Sequence, residues 1–300
     1  MPLLNRPPRD RIVHRIVIAS WVVTFYAIFE YYFPFSTFIS IKSLSPAANS
    51  ILYRLMTGAI LLTFALMGNW DWKRFLRLPR GRNRWIASIA LLTFWWSVHF
   101  QDLQRTTFHG WHLLLGMLFI FSIGFVEEMT SRFFLLSYLN RYAGIWIALI
   151  ISSANFGLMH FSNFFAGAQG LQQTFLQAIS AASTGFMLAS VLIYTQSIWI
   201  PILVHASIDL SLGLGTSPEP ATRSSGGVSG HGFSWMDWAG VFFDSLLSIF
   251  LGLIFLYSAR VFRPGKRLKW IREFFGIYDD GDPRPPSRAG KRLMRAGLIE

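Results

Sequence analysis

Eight apolar runs, each near the length at which a helix crosses a bilayer, constrain what this chain can fold into. They lie at 16–33, 50–68, 85–99, 111–139, 144–161, 175–195, 198–214 and 235–262. A membrane-spanning helix needs about 20 predominantly apolar residues. The composition agrees, with 53% hydrophobic residues against 14% charged and a mean hydropathy of +0.41. The chain therefore reads as all-α, a polytopic integral membrane protein of about eight transmembrane helices. The first run is longer than a signal-peptide core and lacks a clear small-residue cleavage site, so it reads as a retained anchor.

A net charge of +12 would point to nucleic acid in a soluble protein. Here the basic residues fall where membrane orientation requires them. Four lie in the N-terminal arm, six between Lys73 and Arg84, one at Arg141 and eleven from Arg260 onward, while the opposite side carries only Lys42, Arg105 and Arg223. Both termini are expected in the cytoplasm, the membrane is expected to be a bacterial cytoplasmic one, and no nucleic-acid partner is expected. The absence of cysteine excludes a thiol nucleophile, thiolate metal ligation and disulfides.

The chain divides into four parts. Residues 1–110 form a cytoplasmic arm and three spans, and 111–215 form a core of four spans that holds every motif described below. Residues 216–262 form an outside loop and the last span, and 263–300 a basic cytoplasmic tail. The stretch 215–234 is rich in Gly, Ser and Pro, and 279–300 mixes Asp279, Asp280 and Asp282 with prolines and a basic end. No repeat of fixed period is evident, which disfavours the symmetrical halves of many secondary transporters.

Within the fourth run stand Glu127, Glu128 and Arg132. Each ionisable side chain at a bilayer centre costs roughly 2.5–3.5 kcal/mol on insertion scales, so three together need compensation and mark a functional site. Residues four apart share a helix face, so Glu128 and Arg132 can pair, whereas Glu127 points about 100° away and is left as the free carboxylate. A carboxylate of that kind suits general acid–base work. Two further runs carry histidines at membrane depth, His160 four residues after Phe156 and His205 four residues before Asp209. The Asp209 carboxylate can accept from one ring nitrogen of His205, fixing its tautomer and leaving the other nitrogen as donor.

The order Glu-Glu-x-x-x-Arg, Phe-x-x-x-His, His-x-x-x-Asp resembles the CAAX-protease and bacteriocin-processing family of intramembrane endopeptidases. The flanks Ser152-Ser153-Ala154-Asn155-Phe156-Gly157 and Ser197-Ile198-Trp199-Ile200-Pro201-Ile202 belong to the same resemblance, which covers roughly 111–215. It implies an intramembrane catalytic cavity in which Glu127 and His160 activate a water. His205 with residue 209 then stabilises the oxyanion, and Glu128, Arg132, Phe156 and Asn155 support the site. It implies peptide or protein substrates, lipidated or membrane-anchored ones among them. Position 209, often Asn in the better-studied endopeptidases of the family, is Asp here, and an ionised Asp cannot donate to an oxyanion. Asp209 is therefore expected to orient and charge His205.

Other readings compete. Glu127, His160 and His205 could offer three ligands to zinc with water as the fourth, but no His-Glu-x-x-His helix exists, and the expectation is a site without metal or other cofactor. Buried Glu, Arg and His also build the ion pathways of transporters and proton-coupled carriers, and an idle scaffold would use the same groups as an ion-pair network. His14, His99, His109, His112 and His231 fall at run ends or in loops and receive no role. The tryptophans cluster near run ends as an aromatic belt.

Overall fold

In a computed structural model the described residues are 76–105, 110–165, 167, 169–213, 235–259 and 261, with Ile51, Leu52 and Met56 besides. The expected spans at 16–33 and 50–68, the loop at 214–234 and the tail beyond 261 lie outside them. All regular structure among the described residues is helical: α1 (Arg82–Arg105), α2 (Trp111–Glu128), a π-helix (Met129–Leu136), α3 (Ser137–Ala143), α4 (Ile145–Met159), α5 (Phe161–Phe165), α6 (Leu171–Thr195), α7 (Trp199–Gly213) and α8 (Trp235–Ser258).

Four of these stretches are long and apolar enough to cross a bilayer: Trp111–Asn140, which runs through α2, the π-helix and α3; Ile145–Phe165; Leu171–Thr195; and Trp238–Ser258. Two expected spans are not among these four. α1 has 24 residues but falls below the others in hydropathy, and the apolar part of α7, Trp199–Leu210, is shorter than a full crossing. At 1.5 Å per residue those twelve positions reach about 18 Å of the roughly 30 Å hydrocarbon layer. α7 is enclosed by neighbours: Ile200, Ile202, Val204, Ser207 and Leu210 are all buried.

α6 is the central post. Over its apolar window 61% is buried, against 28% for α8. It packs most extensively on α8 and α4, while α7 packs on α2 and α1. The contact with α4 is close because Gly157 faces Ala178 and Ala182, and a Cβ at Gly157 would stand 2.9 Å from the Ala182 methyl. Small residues at such crossings are the usual basis of helix association in lipid, where no hydrophobic effect draws apolar helices together. α8 presents Phe242, Phe243 and Phe250 outward, more than half exposed, as a lipid-facing surface.

Several hydroxyls inside the spans are returned to their own helices, although those of Ser131, Ser153 and Ser245 are not. Thr130 donates to the Val126 carbonyl at 2.8 Å, Ser190 to Phe186 at 2.7 Å and Thr195 to Val191 at 2.7 Å, which satisfies each polar group where water is absent. α6 ends on Gln196, a left-handed residue with φ 57° whose amide donates to the Leu192 carbonyl. The turn into α7 is fastened by Arg84 Nη1 donating to Gln196 Oε1 at 2.8 Å and by Trp199 Nε1 donating to the Leu76 carbonyl at 2.9 Å. That turn fixes the height at which His205 enters the bundle.

Candidate active site

Glu127 and Glu128 occupy the last turn of α2, immediately before the backbone widens into the π-helix that carries Arg132. Short π segments inside α-helices are frequent at functional sites. Gly124, one turn earlier, lets α7 approach: a Cβ there would stand 3.2 Å from the Ile202 carbonyl oxygen and the Ala206 nitrogen and 3.5 Å from His205 Cβ. A bulkier residue would hold the two backbones apart and lift His205 off the carboxylates.

The resulting cluster is continuous. Glu128 uses both oxygens, Oε2 at 3.0 Å from Arg132 Nε and Oε1 at 2.8 Å from His205 Nδ1. The other ring nitrogen, Nε2, lies 3.6 Å from Glu127 Oε2 and 3.5 Å from Asp209 Oδ2. Contacts of that length are ion-pair distances rather than well-formed hydrogen bonds. Burial is graded along the cluster: the Glu128 side chain is 0% exposed and that of Arg132 2%, whereas Glu127 is 30% and Asp209 16% exposed.

Arg132 ties three helices together. Its Nη2 donates to the Gly185 carbonyl of α6 at 3.2 Å, and its guanidinium carbon stands 4.3 Å from the centre of the Phe156 ring of α4. Phe156 in turn meets two histidines edge-on, His160 at 5.4 Å and His205 at 5.6 Å between ring centres. His160, which ends α4, has Nδ1 3.0 Å from the Phe156 carbonyl oxygen. A carbonyl only accepts, so Nδ1 carries a proton, and in the neutral ring Nε2 is an acceptor.

The structure therefore brings Glu127, Glu128, Arg132, His205 and Asp209 into one cluster, and His160 meets the same Phe156 ring as His205 but is joined to neither Glu127 nor His205 by a hydrogen bond or ion pair. Asn155 is buried on α4. The near partner of His205 Nδ1 is Glu128 at 2.8 Å, while Asp209 lies at 3.5 Å from Nε2, so two carboxylates flank the ring where the spacing pointed to one. The reason is the α2–α7 crossing at Gly124, which places a carboxylate from a neighbouring helix closer than one from a turn away on the same helix. Gly185 and the π-helix were not legible as site features. The one available signal for the former is its place beside Ser183 and Thr184 in a small-residue stretch of α6.

The side chains considered for zinc are Glu127, His160 and His205. Both nitrogens of His205 face carboxylates. No group of three His, Asp or Glu side chains among the described residues is arranged to hold a metal ion.

Residues 109–211 match the family model described as Type II CAAX prenyl endopeptidase Rce1-like. The match spans every member of the cluster from Glu127 to Asp209 and takes in α2 through most of α7. Comparison with the curated proteins and with the solved structures returned no match.

Proposed function

We propose that this chain, whose residues 109–211 belong to the Rce1-like type II CAAX prenyl endopeptidases, hydrolyses a peptide bond of a membrane-associated peptide or protein with a water activated by Glu127 and His160. The observation that carries this reading is the gradient within one cluster. A buried Arg132–Glu128 pair holds His205 by Nδ1, while His205 Nε2 faces a more open end that contains Glu127. Such a gradient suits a reaction in which one carboxylate works on water and another never leaves its partner.

In the proposed sequence, water sits between Glu127 and the unprotonated Nε2 of His160. Glu127 removes a proton, and the oxygen attacks the carbonyl carbon of the scissile bond. The developing oxyanion accepts from Nε2–H of His205. Acceptors face both ring nitrogens, and only a doubly protonated ring can donate to both. Glu128 fixes that ring and Arg132 fixes Glu128, so the donor is in place before the charge forms. Preorganised donors of this kind account for about a hundred- to a thousand-fold in rate. The proton held by Glu127 then passes to the leaving nitrogen, the C–N bond breaks, and a carboxylate and an amine leave. No step requires a metal. The family description names prenylated substrates, which makes a prenylated C-terminal peptide the first class to try. The basic loops further support termini on the cytoplasmic side.

The test is cleavage of a panel of quenched peptides, prenylated and leader-type sequences among them, by full-length protein in nanodiscs. The expected result is turnover of at least one peptide by wild type and none by an equally folded Glu127→Ala variant. Equal turnover by the two proteins would overturn the assignment of Glu127. Absence of turnover by folded wild type across the panel would shift weight to a carrier.

A further inference from the structure

A second polar feature lies where the start of α1 meets the ends of α6 and α8. It is a cavity of about 630 Å³, with Arg80, Arg82, Asn83 and Arg84 on one side and Tyr194 and Ser258 on the other, and no Asp or Glu among the described residues of its wall. Arg84 is committed to Gln196 at the turn into α7. Arg80 and Arg82 are exposed and make no ion pair with a described residue. Arginines near helix C-termini can serve simply to offset the partial negative charge of the last carbonyls. That account covers Arg84; for Arg80 and Arg82 the orienting charge bias of the loop explains their sign but not their place at a cavity.

The surroundings say what kind of anion fits. Arg82 heads a stripe on α1 at helical spacing, followed by Trp85, Ile86 and Ile89, which are 39%, 57% and 57% exposed. A second stripe on α8, formed by Phe250, Leu253, Ile254 and Tyr257, is 60%, 39%, 44% and 68% exposed and ends one residue before Ser258 in the cavity wall. Two outward apolar tracks thus finish at one basic cavity. We propose that this cavity binds the phosphate of an anionic phospholipid through Arg80 and Arg82, with its acyl chains lying along the two stripes. Guanidinium groups pair with phosphate oxygens through two parallel bonds, and basic pockets between membrane helices are suited to lipid head groups. Free phosphate shares the head-group chemistry but has no use for the stripes.

The experiment equilibrates full-length protein in mixed micelles with equal amounts of phosphatidylglycerol and phosphatidylcholine, then counts retained lipid by native mass spectrometry. Wild type is expected to keep phosphatidylglycerol in preference. Arg80→Gln/Arg82→Gln lowers that preference about thirty-fold and Arg80→Gln alone about five-fold, from the usual contribution of each basic residue near an anionic surface. Melting temperatures in phosphatidylcholine alone, equal for all three proteins, establish that the variants fold. Three results would overturn the proposal: no preference in wild type, equal preference in the double variant, or displacement of bound phosphatidylglycerol by millimolar inorganic phosphate.

Discussion

The two ends of the charged cluster use the same residue type for opposite purposes. Glu128 is fully enclosed, with one oxygen on Arg132 and the other on His205, while its neighbour Glu127 is 30% exposed with only a 3.6 Å contact to the same histidine. One residue of helix rotation separates a carboxylate that is permanently occupied from one that is available. On the proposed mechanism Glu127 is the reagent and Glu128 its scaffold.

This contrast can be broken at either end. The largest expected effect is on rate at the open end: Glu127→Ala lowers kcat by roughly a hundred- to ten-thousand-fold, as loss of a general base does, with no change in Tm, read by peptide cleavage and thermal unfolding. At the closed end the main effect is on stability. Glu128→Ala leaves Arg132 buried and uncompensated and costs about 3–5 kcal/mol, measured as lost thermal or denaturant resistance in micelles. A Glu128→Leu/Arg132→Met double variant sharpens the distinction. Replacing a whole buried pair by apolar groups is often neutral for folding, so stability returns while activity does not, because His205 has lost its Nδ1 partner. Double-variant stability as low as that of Glu128→Ala would contradict this reading of the closed end.

Smaller effects test the histidine. Asp209 Oδ2 stands 3.5 Å from Nε2, too far to be the main support of the ring, so Asp209→Asn is expected to change kcat less than about ten-fold. A loss as large as that of Glu127→Ala would return the orienting role to residue 209. Exhaustive chelation is expected to leave turnover unchanged, since the proposed reaction draws its base and its donor from side chains alone. Activity lost to chelator and restored by zinc would reverse that.

Much of the site is visible in the sequence, because a bilayer makes ionisable groups conspicuous. The pairing of Glu128 with Arg132 follows from their four-residue spacing and is present at 3.0 Å, and the same spacing puts His205 and Asp209 on one face. What the spacing could not supply is the bond between Glu128 and His205, residues 77 positions apart, which exists because α2 and α7 cross at Gly124. Nor could it supply the contact of Phe156 with both histidines. Local periodicity reports which groups share a helix face. Only the packing of helices reports which faces meet.

The π-helix has a consequence for how the span Trp111–Asn140 is put together. Each π residue turns the chain through a smaller angle than an α residue does, so eight of them, Met129–Leu136, accumulate a phase lag between the two parts of the span. The half ending at Glu128 is clocked to face α7, and the half from Leu136 through Leu139, both wholly buried, is clocked to face the core built with α4 and α6. Ser137 Oγ, which reaches back five residues to the Arg132 carbonyl, marks the end of the slipped interval. One rod therefore behaves as two dials set at different angles on one shaft. Removing a residue from the interval would turn the lower dial out of the core and leave the upper one set.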